Sequence, residues 1–217
     1  PARASEQIIA VNFKPYVGDE GDGPTYRIVV EAARRIGADT DISVYPFGRA
    51  LEIAKSEPAV VFPLLRSQER EQLLDFGPII YRDNFAFFVR RGERRRYNSL
   101  DSLKTASICL IQRSILEDFL RSAGFSSFER VSDDLTAARM LNGGRVDVWY
   151  TTQEVARASQ RAAGLPMGTF EAAVSTGERP LFLTFSKLLN PDRARAWTAA
   201  IESMAADGTL DRLAATE

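Results

Sequence analysis

Short apolar runs alternate with amphipathic stretches along the whole chain, and this alternation limits the fold more than any other feature. Segments 5–13, 41–47, 59–65 and 84–90 read as strands, and the unbroken apolar run AVVFPLL at 59–65 fits a strand covered on both faces. Between them, 25–37 is predicted helical, because Ile28, Val29, Ala32, Ala33 and Ile36 share one face and Gly37 stops it. Segments 48–56 and 67–77 are also predicted helices, the second running from Ser67 as N-cap to Gly77 as stop. The grammar resumes with strands at 105–111, 128–132, 146–151 and 180–186 and helices at 114–124, 133–144, 153–164 and 191–208. The last helix has proline at its start and glycine at its end. Such alternation packs as parallel sheets with helices on both faces. Two sets of these units, joined by extended strands and no low-complexity linker, predict a two-lobed α/β protein.

Composition removes several function classes. The chain has no histidine, so it lacks the commonest general base, the Ser-His-Asp and Cys-His arrangements and most zinc sites. No calcium-loop spacing occurs, and neither a metal nor a cofactor is expected. Cys109, the single cysteine, lies in the apolar run ASICLI and reads as a small buried hydrophobe. A formal net charge of −1 leaves no global field for nucleic acid or anionic membrane, and the one dense basic run, RGERRR at 91–96, reads as a solvated loop. No stretch approaches the roughly 18–20 apolar residues of a membrane span. The start, PARASEQ, has no signal-peptide character and fits either a removed signal or a cytosolic protein.

Ligands of open α/β sheets sit beyond the carboxyl ends of the strands, so functional side chains are sought there. After the run at 59–65 come Arg66, Ser67 and Arg70. A capped helix start with an arginine fork suits a carboxylate; equally, Arg70 would pair with Glu69, Asp75 or a residue of the neighbouring lobe. After the strand at 105–111 come Arg113 and Ser114, where Ser114 is an N-cap whatever the function. Thr151, Thr152 and Gln153 follow the strand at 146–151, as ligand contacts or as turn residues. Phe13, Phe47 and Tyr150 also close strands, as core or as ligand walls.

The stretch FGRALEIAKSEPAVVFPLLRSQEREQLLDFGPIIYRDNFAFFVRRG at 47–92 resembles the first-lobe signature of bacterial extracellular solute-binding proteins of family 3, the polar-amino-acid type. LTAARMLNGGRVDVWYTTQEVA, LFLTFSK and PDRARAWTAAIESMAADGTLDRL resemble later elements of that family in the same order, so the likeness covers nearly the whole chain. It implies a type II periplasmic-binding fold: residues 1–88 and 186–217 as one lobe, 89–185 as the other, and two crossing strands as the hinge. It further implies a monomeric periplasmic protein, its signal peptide removed, that closes on a small ligand and presents it to a membrane permease or receptor. By the same resemblance, Arg70 matches the arginine that grips a ligand carboxylate. Phe13 and Phe47 match the flanking aromatics, and Ser114 a hydroxyl on the second lobe.

Departures from the family pattern bear on the ligand. Pro63 and Leu65 stand where small or hydroxyl residues help to bind an α-ammonium. The acid that pairs with that ammonium falls near Thr152 and Gln153, where the chain has no carboxylate, and Arg113 replaces a glycine. The expected ligand is therefore a small polar or anionic solute, with Arg66 or Arg113 as a second cation. A signalling domain of the same fold, with weak or no amino-acid binding, is the alternative. Catalysis would fall to carboxylates such as Glu154 and Glu171, which sit in no motif, so no enzyme is expected.

Overall fold

The structure, a computed structural model, describes residues 6–112 and 116–215. The chain divides into two compact units, 1–82 with 180–217 and 83–179. The first unit opens with β1 (Gln7–Val11), α1 (Pro24–Arg35), β2 (Ile42–Tyr45), α2 (Phe47–Ser56), β3 (Ala59–Leu65) and α3 (Gln68–Leu73). A long strand, β4 (Leu74–Arg90), then carries the chain into the second unit. There follow α4 (Leu100–Leu103), β5 (Ile108–Ile111), α5 (Leu116–Ser122), β6 (Glu129–Val131), α6 (Asp134–Asn142), β7 (Val148–Thr152) and α7 (Gln153–Ala162). A second long strand, β8 (Phe170–Ser186), returns to the first unit, which ends with α8 (Pro191–Ala206) and α9 (Thr209–Ala214).

In the first unit β1 lies between β2 and β3, all parallel, and β8 runs antiparallel along β3 with Val60 opposite Phe185 and Leu65 opposite Leu181. Period-two alternation sorts the strand residues onto two faces. Ile8, Ala10, Val60 and Phe62 join Ile28, Val29, Trp197 and Ile201 of α1 and α8 in one core. Ile9, Val11, Ala59 and Val61 join Ala50, Ile53 and Ala54 of α2 in another. All seven residues of β3 are buried, as its unbroken apolar run requires.

The second unit repeats the plan. β5 pairs in parallel with β6 and β7, and β4 runs antiparallel along β7 with Phe85 opposite Thr152 and Phe88 opposite Trp149. Cys109 is fully buried here, and burial, with smaller effects from Glu129 and Asp134, pushes its thiol pKa up to about 12, so no thiolate nucleophile forms at neutral pH. The RGERRR turn is exposed except for its half-buried Glu93.

Three expectations are corrected. The helix predicted at 67–77 ends at Leu73, because Leu74 is already extended (φ −134°, ψ 150°) and buries its side chain against the α2 core. What reads as a helix tail and a separate strand at 84–90 is the single strand β4. Likewise β8 begins at Phe170, ten residues before the strand predicted at 180–186. The predicted N-cap Ser114 lies outside the described residues.

Candidate functional site

The most distinctive polar group of the first unit sits just beyond the carboxyl end of β3. Ser67 caps α3, its Oγ accepting the Arg70 amide at 3.3 Å. That cap fixes the first turn and turns the Arg70 side chain back under the strand end, where Nη1 donates to the Leu65 carbonyl at 2.7 Å. The guanidinium lies over the Phe47 ring, 4.4 Å from its centroid, at the first residue of α2. Neither of the two nearby acids forms an ion pair with Arg70: Asp75 pairs with Lys187, and Glu69 acts on Arg70 only through its charge. Among the described residues no carboxylate forms a salt bridge with Arg70. Burial lowers its pKa and Glu69 raises it, yet a guanidinium stays protonated throughout the physiological range.

This arrangement has a clear electrostatic meaning. Taking a cation out of water without a counter-ion is costly, and one carbonyl and one ring face offset only part of the cost. A guanidinium has five N–H donors in a planar fork, and one is used by Leu65. The remaining edge is matched in shape and charge to a carboxylate, bound by two parallel hydrogen bonds.

Arg66 is different. It is exposed, ion-paired with Glu71, and its guanidinium stacks near Phe76 and Phe182 at 5.5 and 5.9 Å. Its charge is already matched within the chain. Pro63 and Leu65 are both buried in β3 and present no hydroxyl. Phe13 is half-buried and belongs to a separate aromatic group, edge-on to Tyr16 at 4.8 Å, which in turn meets Tyr81 at 5.4 Å. Of the first-unit candidates, the structure thus brings Arg70 and Phe47 together.

In the second unit Tyr150 is fully buried on β7. It stacks on Phe87 at 4.5 Å and on Phe119 at 5.3 Å, and its hydroxyl shares a 2.9 Å hydrogen bond with Thr176. Thr152 is the N-cap of α7, its Oγ1 accepting the Val155 amide at 3.1 Å, and Gln153 is half-buried in the first turn. Arg113 and Ser114 lie outside the described residues.

A carboxylate missed at the sequence level does reach the start of α7. Asp83, buried on β4, accepts the Glu154 amide at 3.2 Å and the Asn84 amide at 2.7 Å. Nothing in the spacing from Asp83 to Glu154 signals this, because it follows from the pairing of β4 with β7. The two acids considered for catalysis are engaged elsewhere. Glu154 bridges to Arg157 at 3.2 Å, and Glu171 accepts the amides of Gly92 and Arg94 in the basic turn. No group of three or more potential metal ligands occurs among the described residues.

No protein-family model matches the chain, and no curated protein matches it. Solved structures do. The ligand-binding core of GluR0 from Nostoc punctiforme, solved in complex with L-glutamate, matches with a TM-score of 0.78 at 19% identity, covering 96% of each chain. An amino acid ABC transporter substrate-binding protein from Streptococcus pneumoniae, bound to L-arginine, matches at 0.77 and 18% identity over 97% of this chain and 93% of its own. A histidine kinase sensor domain similar to periplasmic binding proteins matches at 0.77 and 15% identity over 96% and 93%. These likenesses show the fold, which is that of the two-lobed periplasmic binding proteins.

Proposed function

We propose that this chain is a solute-binding protein of the family 3 type that captures a small polar or anionic, carboxylate-bearing ligand and performs no chemistry on it. The observation that carries this reading is Arg70, a half-buried guanidinium seated over Phe47 with a free donor edge and no carboxylate partner among the described residues. Its position beyond the carboxyl end of a parallel strand is where open α/β sheets bind ligands. The engagement of Glu154 and Glu171 in structural contacts supports binding over catalysis.

In this reading Phe47 orients the guanidinium, Arg70 takes an acidic group, and Pro63 and Leu65 supply no side-chain oxygen to an ammonium. The ligand class is an acidic or neutral polar solute more than a zwitterionic α-amino acid. The protein would work outside the cytoplasm as a monomer, delivering its solute to the permease of an ABC importer. Similarity to a transporter-associated binding protein supports this partner.

A second reading has a specific observation in its favour. A kinase sensor domain shares the fold at nearly the same coverage. Here the chain would report solute binding to a membrane receptor.

A thermal-shift screen over amino acids, dicarboxylates, opines and small peptides tests the proposal. A bound solute at about 100 times its Kd adds ~2.7 kcal/mol of stability, which for a chain of this size raises the melting temperature by about 5–10 °C. The expected hits are acidic solutes. A screen in which only cationic solutes stabilise the protein, or none does, contradicts the assignment.

A further inference from the structure

The turn between β4 and α4, in the second unit, carries four arginines whose charges the fold leaves unmatched. Arg91, Arg94, Arg95 and Arg96 are all exposed, and among the described residues none of them forms a salt bridge. The acids close to the turn are engaged with other groups. Glu93 pairs with Arg90 at 3.0 Å, and Arg90 also donates to the Leu141 and Val146 carbonyls at 2.7 and 2.9 Å. Glu171 accepts the Gly92 and Arg94 amides at 2.8 and 3.4 Å. Asp147 accepts the amide and the hydroxyl of Ser107, both at 3.0 Å, and acts on Arg96 only through its charge. Asp101 in α4 pairs with Lys104 at 2.7 Å. These bonds pin the backbone of the turn while its four guanidinium groups stay in water.

Two exposed apolar side chains flank the same turn. Met167 is 53% exposed, in the loop whose Thr169 carbonyl accepts the Arg91 amide at 2.8 Å. Leu100 is 39% exposed, at the first residue of α4 and three residues beyond the buried Tyr97. Among the described residues three large apolar side chains are exposed, and these are two of them. A single exposed leucine or methionine has no special meaning. Beside unpaired arginines the two together suit an anionic lipid surface, where guanidinium groups take phosphate oxygens and apolar side chains enter the headgroup–acyl boundary. An acidic protein face would match the charges and leave the apolar groups without an apolar phase.

The position of the turn fits such a role. β4 pairs antiparallel with β7, Phe88 opposite Trp149, so Arg90 ends β4 at the amino end of β7. In this unit the turn therefore lies opposite the carboxyl ends of the parallel strands, where open α/β sheets bind their ligands. The net charge of −1 does not oppose it, because in physiological salt a surface charge acts over only about 8 Å and the local excess of arginine decides.

We propose that the arginine turn at 91–96, flanked by Met167 and Leu100, is the surface by which this unit rests on a membrane rich in anionic phospholipid. The proposal goes beyond solute binding and does not rest on it. Sedimentation of the full chain with vesicles of phosphatidylcholine, alone or mixed with phosphatidylglycerol, tests it. The expected result is binding to the mixed vesicles and not to the neutral ones, weakened at least tenfold between about 50 and about 500 mM sodium chloride. One arginine at an anionic surface strengthens binding about fivefold, so the double variant Arg94→Gln with Arg95→Gln should bind the mixed vesicles roughly 10- to 30-fold more weakly. Met167→Ser should bind them about threefold more weakly. Melting curves establish that each variant is folded. No binding to the mixed vesicles, equal binding to neutral vesicles, or full binding by the double variant would overturn the proposal. Retention on immobilised poly-L-glutamate without vesicle binding would also overturn it, and would give the turn to an acidic protein partner.

Discussion

Asp134 is the first residue of α6, and its Oδ1 has no hydrogen-bond partner among the described residues. Burial, and to a lesser degree the Asp133 charge, pushes its pKa up to about 7; Cys109 on β5 feels its charge in turn. A carboxyl with a raised native pKa keeps a proton that the unfolded chain releases, so stability falls as pH rises from about 4 to about 7 and then levels. Replacing it by asparagine removes this loss, on the order of 2 kcal/mol after allowing for the favourable charge at a helix start. Asp134→Asn should therefore melt about 5 °C above the unaltered protein at pH 7.5 and by a smaller margin at pH 5, as followed by circular dichroism. An equal margin at both pH values would remove the buried-carboxyl explanation. Single residues also mark the limit of sequence reading. Arg70 stands out because it follows an apolar strand and a capping serine. Asp83 does not, because the Glu154 amide it accepts is brought to it by the pairing of β4 with β7.

Among the elements, the strands with unbroken apolar runs and the amphipathic helices are plain in the sequence, since burial on one face leaves a period. The long strands are not. Gly77 looks like a helix stop, but it lies within β4, where an added Cβ would come within 2.5 Å of the Phe185 ring. Close packing, not a turn, requires glycine there. Gly77→Ala should cost about 1–3 kcal/mol in chemical denaturation, and a neutral result would mean that the ring has room to shift. The part of β8 before residue 180 is hidden for another reason: with Ser175, Thr176, Gly177, Glu178 and Arg179 it lacks the apolar alternation of a half-buried strand. Helix α7, by contrast, is marked at its start by Thr152, whose cap bond to Val155 should make Thr152→Ala about 1 kcal/mol less stable. A change below a few tenths of a kcal/mol in denaturant unfolding would show the cap to be dispensable.

For the molecule as a whole, the two units divide at 82/83 and 179/180, and the boundaries expected from sequence fall within the same strands, β4 and β8. A division inside a strand leaves no glycine- or proline-rich linker for sequence inspection to find. The near-zero formal charge, −1, leaves no long-range field that would draw an anionic solute in. In the reading proposed above, recognition would rest on the half-buried Arg70, which salt screens weakly. Affinity for an acidic solute should change less than about threefold between 50 and 500 mM sodium chloride. A tenfold loss would point to exposed cations as the contacts.

A half-buried guanidinium seated on an aromatic ring, with no carboxylate partner among the described residues, is the physical basis of the proposed solute binding. Titration of Arg70→Ala beside the unaltered protein, with the strongest acidic hit of the thermal screen, examines it. Loss of a fork of charge-assisted hydrogen bonds removes ~2–4 kcal/mol, so affinity should drop roughly 30- to 1000-fold while the far-ultraviolet spectrum and cooperative melting persist. Equal affinity in a folded Arg70→Ala protein would contradict it.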